Sequence, residues 1–257
     1  MPETTTQCSP LLAQFGEGGL GQTRRPDRWW LAPASVAVGL AAFAAYSTWA
    51  ALSGENYTFS PYLSPFYSPN FHVPRIHVSP ALLVLWAPLG FRLSCYYYRK
   101  AYYRALYLSP PACVVSEPVR DYRGEAGILR WLSIVHRWFL YASILVLSVL
   151  WLDALRAFDF NGHLGVGLGS VVLLLNAAAL SFFTFGCHAL RSAVGGNKRC
   201  FNCSALGHIR YRSWRAVSYL TSRHPFWAWA SLYTVALADL YIRLLSMGVL
   251  HDPRVLL

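Results

Sequence analysis

The chain has 257 residues, of which 55% are hydrophobic and only 13% charged, with ten tryptophans and a formal net charge of +11. That composition excludes an ordinary soluble domain and a disordered chain, and it points to one domain that crosses a lipid bilayer several times. The surplus of positive charge does not call for nucleic acid, because its distribution along the chain accounts for it as membrane topology.

In chain order, residues 1–28 form a polar, Gly-rich segment in which Cys8 reads as an incidental thiol, and residues 29–257 form the membrane domain. Crossing the hydrocarbon core takes about 20 apolar residues, and five stretches are of spanning length: Trp30–Leu52, Ala81–Tyr98, Leu132–Leu155, Leu164–Leu190 and Phe226–Leu250. Each should be a helix, since a lone segment in lipid must satisfy its own backbone. The expected fold class is therefore an all-α membrane protein, a bundle of five transmembrane helices.

Orientation follows from the basic residues. Eighteen of the 22 Lys and Arg precede the first span or lie in or beside the second-to-third and fourth-to-fifth connections. Only Arg75, Arg156, Arg243 and Arg254 fall on the opposite side. The positive-inside rule then places the N-terminus inside and the C-terminus outside.

The connection from Gly54 to Pro80 carries Pro61, Pro65, Pro69 and Pro74 among aromatics, which suits an extended segment lying on the membrane interface. His72 and His77 in it read as surface histidines. The second span runs out into CYYYRKAYYRALYLSPPACVV, where tyrosines and basic residues favour the headgroup layer. Early in the third span, IVHRWFLY places His136 about one turn into the bilayer, a costly position for an ionisable group unless it has work to do.

The stretch 187–224 joins the fourth and fifth spans and holds three of the six cysteines and three of the eight histidines. Cys200 and Cys203 form a C-x2-C pair, a spacing that lets two thiolates reach one iron or zinc. His188 and His224 stand at the ends of the flanking apolar segments. Cys95 and Cys113 fall on the same inner side, where a reducing cytosol disfavours disulfides. The string CFNCSALGH also matches three ligands of a zinc knuckle, but the expected fourth cysteine is replaced by Ser213.

Four strings, GFRLSCYYYRKAYYRALYLSPPACVV, IVHRWFLYA, FFTFGCHALRSAVGG and SRHPFWAWASLYTVALADLYIR, give the chain from Phe91 to Arg243 a family resemblance. It resembles the single five-span membrane-anchor subunit (SdhC-like) of the mycobacterial and actinobacterial type of succinate dehydrogenase. The resemblance implies a multi-pass protein of the cell inner (plasma) membrane, partnered by a flavoprotein subunit and an iron–sulfur subunit. It implies electron transfer to a membrane quinone, menaquinone or ubiquinone, through a Rieske-type 2Fe–2S cluster, with succinate oxidised by the partner subunits and no catalytic residue in this chain. Such a cluster needs two thiolates on one iron and two imidazoles on the other. The set expected here is Cys200 and Cys203 with His136 and His188, with Cys113 and Cys187 as alternative thiolates and His224 as an alternative imidazole.

Two acids lie within spans, Asp153 three residues before Arg156 and Asp239 four before Arg243. Both spacings put acid and base on one helical face, where an internal ion pair lowers the cost of burial. Asp239 is also a candidate proton carrier for a quinone. The competing function is a membrane scaffold or transporter whose 187–224 segment holds structural zinc.

Overall fold

A computed structural model of the chain describes residues 23, 25–70, 79–109, 111–115, 128–196 and 206–256. Four helices are long and apolar enough to cross a membrane. They are α1 (Leu31–Ser53), α4 (Leu129–Arg156), α5 (Leu168–Phe185) and α8 (His224–Ser246). A shorter apolar helix, α2 (Pro80–Ser94), takes the place of the expected second span. At 1.5 Å per residue its 15 residues rise about 22 Å, less than the hydrocarbon thickness of about 30 Å. The expected span Ala81–Tyr98 is thus cut short: Cys95 turns extended, with φ −66° and ψ 128°, and a separate helix α3 (Tyr96–Leu106) carries the tyrosines and arginines.

The fourth span is also shorter than expected. Residues 163–167 form a strand, β4 (His163–Gly167), paired with β3 (Asp159–Phe160) and β5 (Arg254–Leu256). Gly167, just before α5, lets Tyr62 pack closely, because a Cβ there would meet the Tyr62 hydroxyl at 2.1 Å. α5 then ends at Gly186, and Cys187 is extended before α6 (His188–Gly195) begins. The segment expected as a loop is helical where described, with α6 packed against α7 (Gly207–Ser222).

The chain divides into two compact units, residues 1–41 with 99–126, and residues 42–98 with 127–257. In the first, Thr23 donates to the Val114 carbonyl at 2.7 Å, and the Arg25 guanidinium to that of Cys113 at 3.0 Å. In the second, α5 packs along α8 and α4, and α2 along α4. Its core includes Ala154, Leu173, Ala177, Ala238 and Ile242, while Trp138, Leu145, Leu152 and Leu237 stay exposed. Apolar side chains on the outer faces of apolar helices are what lipid requires.

The α1–α2 connection differs from an interfacial strip. A hairpin of β1 (Thr58–Phe59) and β2 (Tyr62–Leu63) and a turn at Pro65–Tyr67 bury Tyr62, Phe66 and Tyr67. The two tyrosines are tied down by their hydroxyls: Tyr67 donates to the Ala50 carbonyl at 2.7 Å, and Tyr62 to Asp252 at 2.5 Å. His72 and His77 lie outside the described residues.

Both expected ion pairs are present. Asp239 and Arg243 are fully buried and joined at 2.8 Å; Asp153 and Arg156 meet at 3.5 Å, with Arg156 exposed. Tyr46 donates to Asp239 at 2.6 Å and Ser64 to its other oxygen, while Arg243 reaches Ser53 and the Glu55 and Ala50 carbonyls. The pair ties the end of α1 and the Ser64 turn to α8, and its carboxylate is committed to those partners.

Candidate metal centre

Two helix breaks and two helices meet at one place in the second unit. Cys95 follows the end of α2, and Cys187 the end of α5, each in extended backbone just before a new helix. His136 stands two turns into α4, and His224 opens α8 with Pro225 behind it at the position where a missing N–H costs nothing. All four side chains are buried, with residue exposures of 3% for Cys95, 7% for His136, 1% for Cys187 and 3% for His224.

They pair across the site. His136 Nε2 lies 2.9 Å from Cys187 Sγ, and His224 Nε2 lies 3.5 Å from Cys95 Sγ. Ser94 sets the tautomer of His136. Its hydroxyl donates to the Gly90 carbonyl at 2.6 Å, so toward His136 Nδ1, at 2.9 Å, it acts as acceptor. Nδ1 therefore carries the proton, and the Nε2 lone pair faces the Cys187 thiol, an assignment that follows from the hydrogen-bond network. The Ala189 N–H donates to Cys187 Sγ at 3.3 Å, and Nδ1 of His224 is buried without a partner among the described residues. Burial above all pushes the Cys187 thiol up to about 12, against the pull of the Ala189 N–H. A metal would have to displace that proton on binding.

Aromatic rings hold the imidazoles in place. His136 stacks on Phe91 with centroids 4.7 Å apart, His224 stacks on Phe183 at 4.9 Å, and the two phenylalanines meet edge to face at 5.5 Å. The two imidazoles thus share one rigid support.

Among the described residues no group of three or more His, Cys, Asp or Glu is gathered closely enough to hold one metal ion. A tetrahedral zinc site demands such a gathering, whereas a Rieske-type cluster takes only two protein ligands on each iron. The site offers the two thiols and two imidazoles of the second requirement, although each close pair joins one thiol to one imidazole. The four side chains therefore match the donor set of a 2Fe–2S cluster.

Of the residues expected from sequence, only His136 is in this cluster. His188 is exposed at the start of α6; partial burial, then Arg191 nearby, lowers its pKa, and its own charge acts on His224. Cys200 and Cys203 lie outside the described residues. The alternatives Cys187 and His224 are in the cluster, while Cys113 is exposed in the other unit. Cys95 was not among the expected ligands. Its one sequence signal is position, as a cysteine ending an apolar segment as Cys187 does, and the C-x2-C pair outweighs it.

Comparison with known proteins gives a consistent result. Residues 31–248 match the family described as actinobacterial succinate dehydrogenase subunit SdhC. No curated protein matches the chain. Among solved structures, a chain of the Mycobacterium smegmatis Sdh1 complex in the apo form is 40% identical, with a TM-score of 0.80 over 90% of this chain and 92% of that one. The chain therefore belongs to the actinobacterial SdhC family, and it is the multi-pass membrane subunit of a succinate dehydrogenase.

Proposed function

We propose that this subunit anchors the soluble flavoprotein and iron–sulfur subunits of a succinate:quinone oxidoreductase and carries their electrons to a membrane quinone. The similar chain comes from an assembled Sdh1 complex, which supports such partners here. Cys95 and Cys187 would hold one iron of a Rieske-type 2Fe–2S cluster, and His136 and His224 the other. When bound, that cluster supplies one-electron transfer at a potential raised by its histidine ligands, which suits a quinone acceptor.

The carrying observation is the convergence of two buried thiols and two buried imidazoles from four separate segments. The chain's own work there is positional. Ser94 presents Nε2 of His136, Phe91 and Phe183 fix the two ring planes, and the Ala189 N–H steadies the Cys187 sulfur.

In this reading α2, though short, completes a fifth crossing, which puts the N-terminus inside and the C-terminus outside. The supporting fact is the concentration of Arg and Lys on the side where α8 begins. The metal site then sits near the inner face, within reach of a soluble donor.

Purification in mild detergent tests the reading. The preparation should contain a flavin subunit and an iron–sulfur subunit, and should show a Rieske-type electron-spin signal on reduction. A preparation of this chain alone, colourless and loaded with zinc, contradicts it.

A further inference from the structure

Arg92, on the last turn of α2, lies beside the Cys/His site. Its guanidinium carbon sits 4.5 Å from the centroid of the Phe183 ring, the ring on which His224 stacks, and 5.4 Å from that of Tyr98. Its nitrogens donate to the Tyr98 hydroxyl, to the Ala228 carbonyl at 3.3 Å and to Ser231 Oγ at 2.9 Å. Every one of these partners is formally neutral. Among the described residues no carboxylate pairs with Arg92, whereas the buried Arg243 is neutralised by Asp239. Arg92 is half-buried, and with no carboxylate partner among the described residues its charge can answer a negative charge that forms beside it.

The charge of the proposed cluster supplies one. Two ferric irons, two sulfides, two thiolates and two neutral imidazoles sum to zero. One added electron leaves a single negative charge at the site. We propose that Arg92 is the counter-charge of the reduced centre, held against Phe183 so that it favours the reduced over the oxidised form and raises the midpoint potential. This rests on the cluster reading above. The step is a one-electron reduction by an external donor, with no bond made or broken to Arg92, whose three hydrogen bonds and two ring contacts fix its position in both states. At an effective dielectric near 20, a neighbouring unit charge is worth on the order of tenfold in such an equilibrium.

The test is a redox titration of the cluster signal in the intact purified complex, with dithionite as reductant. Arg92→Gln should lower the reduction equilibrium about tenfold, a fall of about 59 mV for one electron, while the line shape of the signal persists. Arg92→Lys, which keeps the charge and loses the fork, should stay within about threefold of the parent. An unchanged potential in Arg92→Gln overturns the proposal, as does a Lys variant that falls as far as Gln. Should Arg92→Gln fail to assemble, Ser231→Ala, which frees one guanidinium arm, must shift the potential the same way by a smaller factor, and no shift overturns it. Absence of any cluster signal in the parent complex overturns the cluster reading itself, a result distinct from a normal signal indifferent to Arg92.

Discussion

The His136 imidazole lies flat on the Phe91 ring, with planes 6° apart and centroids 4.7 Å apart. The two residues belong to α4 and α2, so the contact sets the ring plane of a metal-ligand candidate through the packing of one apolar helix on another. Phe91→Ala should remove that support at a cost of about 3–5 kcal/mol. Thermal unfolding of the complex in detergent measures the loss, and iron content should fall with it.

Ser94 tests the tautomer. Ser94→Ala leaves the Nδ1 proton of His136 without its acceptor, and loss of such an outer partner typically weakens metal affinity about 10–100-fold. Chelator challenge of the purified complex should strip iron faster from the Ala variant, whereas Ser94→Thr keeps the hydroxyl and should hold iron as the parent does.

Gly186 tests how closely α5 approaches His224. A Cβ there would sit 2.7 Å from the Phe182 carbonyl, 3.2 Å from that of Leu220 and 3.3 Å from His224 Nδ1. Two of these are backbone atoms that cannot turn aside, so Gly186→Ala should shift His224. The expected outcome is a complex that assembles and oxidises succinate with a soluble dye but reduces quinone at less than about a tenth of the parent rate, equivalent to roughly 1.4 kcal/mol or more in the barrier. Full quinone reduction would place the electron path elsewhere.

Asp239 separates a structural clamp from a proton carrier. Breaking a buried pair leaves an uncompensated charge, so Asp239→Ala should cost about 3–5 kcal/mol, and a double replacement of Asp239 and Arg243 by apolar residues should cost less. Turnover per assembled complex should be unchanged in the double variant. A stable complex with lost quinone turnover would instead show that the carboxylate moves protons.

Much of this architecture was legible in the sequence because lipid imposes length and apolarity on each span, and the ion pairs were legible because i,i+3 and i,i+4 spacing is local. The end of α2 was not. The run from Ser94 into the tyrosines stays aromatic, and nothing in composition announces that Cys95 leaves the helix. The ligand cluster was harder still: Cys95, His136, Cys187 and His224 are scattered over 130 residues and meet only through helix packing. By contrast, the local C-x2-C of Cys200 and Cys203 catches the eye without showing what it faces.

The most direct measurement is the electron-spin spectrum of the reduced complex across a set of single replacements. Changing Cys95, Cys187, His136 or His224 to alanine should each abolish the Rieske-type signal while succinate oxidation by a soluble acceptor continues, and changing Cys200, Cys203 or His188 should leave the signal intact. A signal that survives replacement of Cys95 and Cys187 but is lost with Cys200 or Cys203 would contradict the account.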